Sequence, residues 1–437
     1  MRIMKPRGAN SDRSSSVGPE RAYRPTPAAP VVASWPGKDL LSDPVTAAVL
    51  MAVWSGDQVV TVPSPPGAGK TRLTVHLAAA LAERAGLRVA VAAQTRAQGL
   101  DIARRLGALT GPGAPIGLVW RTGPRPDSGA CPVILGGVHW PRTGGAVRVG
   151  TTAKWLLAEA ETGSADVLIV DEAYQCTYAD LGGLGAMANQ VVCVGDPGQI
   201  APVVTGDTGR WAGAATGPHL PAPIALSAAH PEAVTTVALE HTWRLGPETT
   251  SLVSRVFYPR LPFTSRRPPE HIVFARETLP EIAHRVIAVA DGPTDQVIID
   301  AAVARARALI GTAVYATGGG VRPVTEQDVA VVVPHVAQAC AIRAQLADHP
   351  DVLVGTANAL QGLERAVCVG VHPMAGKRET EEFALDPGRM CVMLSRHRSH
   401  LSMIIDQHTP TALAHDSADT ARMSERVLDH LLIAPTF

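Results

Sequence analysis

The stretch Thr61–Thr74, TVPSPPGAGKTRLT, constrains this chain more than any other. The β-branched run Gln58-Val-Val-Thr-Val62 precedes its loop, and from Thr71 to Arg84 apolar residues recur at helical spacing. Between strand and helix, Ser64-Pro65-Pro66-Gly67-Ala68-Gly69-Lys70-Thr71 fits the Walker A pattern G-x-x-x-x-G-K-[ST] at every fixed position but the first, where serine stands for glycine. A polyphosphate needs several backbone N–H groups converging on it, and Gly67 and Gly69 let the chain curl without Cβ clashes. Lys70 then reaches the β- and γ-phosphates, and the Thr71 hydroxyl ligates Mg²⁺. All of Ser64 to Thr71 is therefore expected to bind ATP.

A second segment supports the first. Ala165-Asp-Val-Leu-Ile-Val-Asp-Glu172 is a buried strand ending in two carboxylates, the Walker B arrangement, followed by Gln175. Asp171 is placed to hold the Mg²⁺ shell beside Thr71, and Glu172 to accept a proton from the attacking water. Gln190 to Gln199 repeats the scheme of an apolar strand with polar groups at its C-terminal end. Strands alternating with helices, with chemistry at strand ends, indicate an α/β fold with mostly parallel sheets. A second cycle follows: strands over 326–334, 351–356, 366–371, 390–394 and 401–405, with a helix over 337–346. It contains no second Walker lysine.

Composition narrows the partners. The chain has 437 residues, with 39 basic and 39 acidic side chains, so no global basic signature points to nucleic acid and any such contact must come from a local groove. Aromatics make up 4% and offer few stacking platforms. Cys131, Cys176, Cys193, Cys340, Cys368 and Cys391 form no C-x-x-C pair, which argues against zinc and fits reduced cytosolic thiols. No apolar run reaches membrane-spanning length and the N-terminus lacks a signal-peptide core, so a cytoplasmic location is expected. Residues 1–37, rich in Arg, Ser, Pro and Gly, read as a disordered basic arm, either a linker or a nucleic-acid-binding tail. Residues 38–55 read as a helix leading into the first strand. The Gly/Pro-rich segment 107–145, with Trp120, Arg121, Arg125, Trp140 and Arg142, is a reduced accessory insertion or a functional loop.

In this order the motifs resemble those of superfamily 1 helicases, most closely the Upf-like branch. Gly195-Asp-Pro-Gly-Gln-Ile-Ala-Pro202 resembles motif III, G-D-x-x-Q-L-x-P, and Leu239-Glu-His-Thr-Trp-Arg-Leu-Gly-Pro247 resembles L-x-x-Q-Y-R-M-x-P. Val256-Phe-Tyr-Pro-Arg-Leu261 resembles the downstream F-Y-x-x-x-L, one residue shorter. Val331 to Gln338 resembles I-x-T-P-Y-x-x-Q. Val354 to Glu364 keeps T-x-x-x-x-Q-G-x-E of motif V, and Gly388 to Arg398 resembles motif VI, R-x-N-V-x-L-T-R-A-[KR]. Departures are Ser64 for glycine, Trp243 and His335 for tyrosines, and Cys391 for the motif VI asparagine.

The resemblance implies two RecA-like P-loop NTPase lobes, 38–240 and 241–437, with ATP and Mg²⁺ in the cleft between them. It implies catalytic roles for Lys70, Asp171, Glu172, Gln199, Arg244 and Arg396. Arg244 would contact the γ-phosphate, Arg396 would be the arginine finger, and Gln199 would couple the γ-phosphate to the strand cleft. Trp243 would stack on adenine, while Gln175, Gln361, Gly362 and Glu364 would line the ATP site. Thr95, Arg96, Pro334, His335 and Thr356 would meet single-stranded DNA or RNA, Arg96 having a solvated alternative. The implied activity is an ATP-dependent helicase or translocase. An ATP-gated switch or assembly module for protein partners is the alternative.

Overall fold

The computed structural model describes residues 43–121, 123–158 and 164–437, so the basic-arm reading of 1–37 lies outside the described residues. Eight parallel strands form the first sheet: β1 (Val59–Pro63), β2 (Arg88–Ala93), β3 (Ile116–Trp120), β4 (Val133–Leu135), β5 (Ala146–Thr151), β6 (Ala165–Asp171), β7 (Ala188–Gly195) and β8 (Val234–Thr236). Their order is β4-β3-β5-β2-β6-β7-β1-β8. Helices α1 (Pro44–Trp54), α2 (Lys70–Glu83) and α3 (Arg96–Thr110) lie in the connections. A parallel sheet covered on both faces needs continuous apolar strands rather than alternating ones. Val89-Ala-Val-Ala-Ala93 meets that demand, each residue being 0% exposed.

Two short strands, β9 (His241–Thr242) and β10 (Thr264–Ser265), pair in parallel after the first sheet ends. An antiparallel sheet in the order β12-β11-β14-β15 follows, made of β11 (Glu270–Phe274), β12 (Glu277–Thr278), β14 (Val314–Thr317) and β15 (Gly320–Pro323). The second parallel sheet, β13-β19-β18-β16-β17, comprises β13 (Ile282–Ile287), β16 (Val329–Val333), β17 (Leu353–Thr356), β18 (Arg365–Val371) and β19 (His397–Asp406). The antiparallel sheet shares a core with it: Ile272 and Tyr315 pack with Val329, Val331 and Val369.

Two expectations change. The segment 107–145, read as an insertion or loop, supplies β3 and β4 at the edge of the first sheet, because Ile116-Gly-Leu-Val119 is apolar enough to be buried there. Residues 390–394, read as a strand, belong to helix Pro387–Leu394. Pro387 at its first turn and the Asp386 carboxylate, which accepts from the Arg389 N–H at 3.1 Å, start a helix. Its apolar run reflects burial on all sides. Gly388 brings this helix against the loop after β7: a Cβ there would lie 2.7 Å from the Gln199 carbonyl oxygen. Ile200 accordingly shares a core with Met390, Cys391 and Leu245.

Candidate functional site

The loop after β1 is shaped by its glycines. Gly67 and Gly69 have φ of +71° and +92°, the left-handed region open to glycine at little cost. Gly67 is also short of room, since a Cβ would meet Thr242 Oγ1 at 2.8 Å. Among the described residues, positive φ outside glycine falls on Glu172, Ala275 and Arg276, so Ser64 has a backbone that any residue adopts. Ser64 ties the loop down: its hydroxyl donates to the Val62 carbonyl and its N–H to the Gly195 carbonyl, both at 2.9 Å. Pro65, Pro66 and Ala68 are buried behind it, and Thr71 stands partly exposed in the first turn of α2.

Lys70 is 9% exposed and faces carboxylates from two strand ends, Asp196 Oδ2 at 3.4 Å and Glu172 Oε1 at 4.0 Å. Asp171, at the end of β6, is 3% exposed and accepts from the Thr74 hydroxyl at 3.1 Å. Burial and the neighbouring Glu172 carboxylate push the Asp171 carboxyl up. Glu172 has φ of +51°, a conformation costing a non-glycine residue on the order of 1 kcal/mol. It turns the side chain out of the strand, where Gln175 Nε2 donates to it at 3.5 Å. A hydroxyl and a buried, charge-crowded carboxylate at the mouth of a phosphate cradle are hard oxygen donors of the kind Mg²⁺ takes with phosphate and water. Thr71 and Asp171 thus fit the ion.

The segment 241–244 joins the loop to the second sheet. Thr242 Oγ1 donates to the Pro66 carbonyl at 2.7 Å, and the Trp243 N–H donates to the Gly67 carbonyl at 2.9 Å. Trp243 leaves its ring 50% exposed beside the cradle. Arg244 then crosses over, donating through Nε to Glu364 and through Nη1 to the Ser395 carbonyl at 3.2 Å. A second bridge runs through amides: Gln361 Nε2 donates to Gln199 Oε1 at 3.1 Å, and Gln199 Nε2 donates to Asp196. Gly362, with φ of +83°, turns the chain between Gln361 and Glu364.

Arg396 differs from the expectation of a free finger. It is 1% exposed, and its guanidinium donates to the carbonyls of Val392, Leu360 and Leu363 at 3.0–3.3 Å and to Ser395 Oγ at 2.9 Å. Burial, with Arg244 nearby, pulls its pKa down to about 10. Carbonyls rather than carboxylates hold this charge in place.

Two family matches cover most of the chain. Residues 41–220 match one family described as an AAA domain, and residues 225–408 match a second of the same description. The ordered motifs and the strap from Pro66 to Glu364 agree with that pairing.

Both halves of this chain thus match families of AAA domains.

AAA domains imply nucleotide use. Solved structures that this chain resembles include the PRRSV helicase, 17% identical over 82% of this chain and 55% of that one, with a TM-score of 0.41. Arterivirus nonstructural protein 10 (helicase) is 17% identical over 81% of this chain and 61% of that one, TM-score 0.42. The complex of the arterivirus protein with DNA aligns at 16% identity over 86% and 65%, TM-score 0.43. The chain therefore spans between 55% and 65% of the length of these three proteins. No curated protein matches. No described helix is long and apolar enough to cross a membrane.

The residues expected to meet a nucleic-acid strand lie at the C-terminal ends of strands in both sheets. Thr95 follows β2 and caps α3, its hydroxyl accepting from the Gln98 N–H at 3.2 Å. Arg96 lies over the Trp120 ring at 5.1 Å. Pro334 and His335 follow β16, with His335 stacked on Phe383 at 5.3 Å. Thr356 ends β17, and its hydroxyl accepts from the Ala359 N–H at 3.4 Å.

Sequence reasoning passed over several residues that organise the site. Asp196, in the Gly195-Asp-Pro-Gly-Gln199 turn, is 2% exposed and gathers Lys70, Gln199 and the Tyr258 hydroxyl. The Tyr258 hydroxyl, in Phe257-Tyr-Pro259, sits 3.5 Å from Cys391 Sγ, the group that replaces asparagine. Thr74, Thr242 and Ser395 carried no signal beyond their neighbours in sequence.

Proposed function

We propose that this chain is an ATP-dependent translocase or helicase of the Upf-like branch, acting in the cytoplasm on single-stranded DNA or RNA. The observation that supports it best is the strap Thr242-Trp-Arg244, bonded to the phosphate cradle at one end and to Glu364 and Ser395 at the other. ATP bound at Ser64 to Thr71 exchanges the carboxylate partners of Lys70 for phosphate oxygens. Thr71 and Asp171 would hold Mg²⁺, which would supply positive charge to offset that of the phosphates. Glu172 takes the proton of the attacking water, and Gln175 steadies Glu172. Arg244 stabilises the charge of the transferring phosphoryl group.

Hydrolysis breaks the anionic bridge between the two sheets, and Gln199–Gln361 and Arg244–Glu364 carry that change into the second. Movement of the strand-end residues Thr95 and Arg96 against Pro334, His335 and Thr356 is the output, with Arg396 fixing the backbone of the motif V loop beneath them. The branch moves 5′ to 3′, and that polarity is the expectation here. ATP turnover measured with and without single-stranded DNA or RNA of equal length tests the reading. Stimulation by either polymer is the expected result. Turnover indifferent to both would replace the motor with an ATP-gated protein switch.

A further inference from the structure

The antiparallel sheet belongs to none of the motifs, yet one of its carboxylates is wired to the nucleotide site. Glu270, the first residue of β11, is 7% exposed, an unusual setting for a glutamate. The Arg398 guanidinium meets it as a fork: Nε donates to Oε2 at 3.2 Å and Nη2 to Oε1. The Tyr315 hydroxyl on β14 also donates to Oε2, and Ser399 Oγ lies 3.5 Å away. Burial opposes ionisation of Glu270, but these donors and Arg267 outweigh it and hold the carboxyl below its usual range. The remaining nitrogen of Arg398, Nη1, donates to Glu364 Oε1 at 3.1 Å. Glu364 Oε2 is left to accept from Arg244 Nε.

The order Tyr315, Glu270, Arg398, Glu364, Arg244 therefore alternates donor and acceptor without a gap. Each charge has its opposite on both sides except at the ends. Two arginines compete for one carboxylate at Glu364, and their shares depend on how firmly Arg398 is held from behind. A buried two-pronged grip on Arg398 confines it to a single oxygen of Glu364.

We propose that Glu270, seated by Tyr315, is a positioning residue for ATP hydrolysis: by gripping Arg398 it reserves one Glu364 oxygen for Arg244 and so sets the plane of the Arg244 guanidinium. This gives the antiparallel sheet a role in turnover. The inference rests on the assignment of Arg244 to the transferring phosphoryl group.

Glu270→Gln keeps the side-chain shape and removes the charge. Arg398 is then free to take both oxygens of Glu364, and Arg244 loses its partner. The expected result is a fall of about tenfold in kcat with KM for ATP within about twofold of wild type, as for loss of an interaction realised in the transition state. Adding Arg398→Gln removes the competitor, so the double variant should turn over faster than Glu270→Gln alone. A purely structural role predicts the reverse, a further loss in the double variant together with a lower Tm, and that result overturns the proposal. Tyr315→Phe, which deletes one hydroxyl, carries the same test should Glu270→Gln fold poorly: a fall of about threefold in kcat supports positioning, and an unchanged kcat overturns it. Wild-type turnover unaltered by Glu270→Gln overturns the positioning role alone. No turnover in the wild type overturns the ATPase reading, and the role with it.

Discussion

Compare where the two parallel sheets keep their polar groups. The first keeps its strands mostly apolar, Arg148 in β5 and Thr61 in β1 being buried exceptions, and gathers ionisable side chains at or just beyond strand ends, at Lys70, Asp171, Glu172 and Asp196. The second buries them within and beside its strands: His372, His397, His400, Ser402 and Asp406 are all 0% exposed, and Arg396 is 1% exposed. Buried polar groups are costly unless paired, and in return they fix a single arrangement. The first sheet is thus stocked for chemistry at its edge. The second is stocked for holding Arg396, Ser395 and Glu364 in a frame that receives Arg244.

The strongest way to break that contrast is at the first sheet. Lys70→Ala removes the phosphate-facing ammonium and Glu172→Gln the proton acceptor, and the latter should cost about 10²- to 10⁴-fold in ATP turnover. Glu172→Gln should leave the Tm close to wild type, since the amide keeps the side-chain shape and removes a charge that crowds Asp171. A Glu172→Gln enzyme with wild-type turnover would remove Glu172 as the general base.

A pair of arginines sharpens the contrast next. Arg244→Ala should lower kcat by about 10²- to 10³-fold while the fold persists. Arg396→Ala takes a donor from three carbonyls in the second core, two of which keep a backbone partner, and its main effect should be on stability, about 1–3 kcal/mol in a denaturant titration. A variant at Arg396 that melts normally but has lost turnover would restore the arginine-finger assignment to Arg396.

These expectations show what could be read from the chain before its fold. The cradle, the carboxylates after β6 and the order of the motifs were legible because each is a local pattern on a strand–loop–helix unit. The strand assigned to Met390–Leu394 was not, because an apolar run buried on every side has the same composition in a helix as in a strand. The edge strands β3 and β4 hid behind glycines and prolines that mark loops. The fixed pose of Arg396 and the role of Asp196 depend on partners more than thirty residues away, which no spacing reveals. Glu270 lies in no motif at all and is found only through Arg398.

Acid should separate the two sheets. Burial pulls His372 and His400 down to about 4 and His397 to about 3, from an ordinary value of 6.5. Folded pKa values below the unfolded one mean that the unfolded chain binds more protons, so this stability is complete above pH 6.5 and is lost as the pH falls toward 4. Between pH 7 and pH 5 each of the three costs about 2 kcal/mol. The described tryptophans all lie at or before Trp243, so their fluorescence reports the first sheet and its strap. At pH 5 the helical circular-dichroism signal should begin to melt below the fluorescence transition. Coincident transitions at both pH values would show that the histidines do not single out the second sheet.

The smallest expected effect falls on the piece that touches both halves. Trp243 is 50% exposed, and its backbone N–H already donates to Gly67, so the indole adds nothing to the strap itself. What the ring offers is a flat face beside the cradle, where an aromatic stack is worth about 0.5–1.5 kcal/mol. Trp243→Ala should therefore raise KM for ATP by about two- to tenfold and leave kcat and Tm close to wild type. Trp243→Tyr, the residue found in the motif this segment resembles, should restore most of the loss. If KM stayed put in the alanine variant while kcat dropped, the side chain would be steering Arg244 instead of holding the base, and the strap would act as one unit with the second sheet.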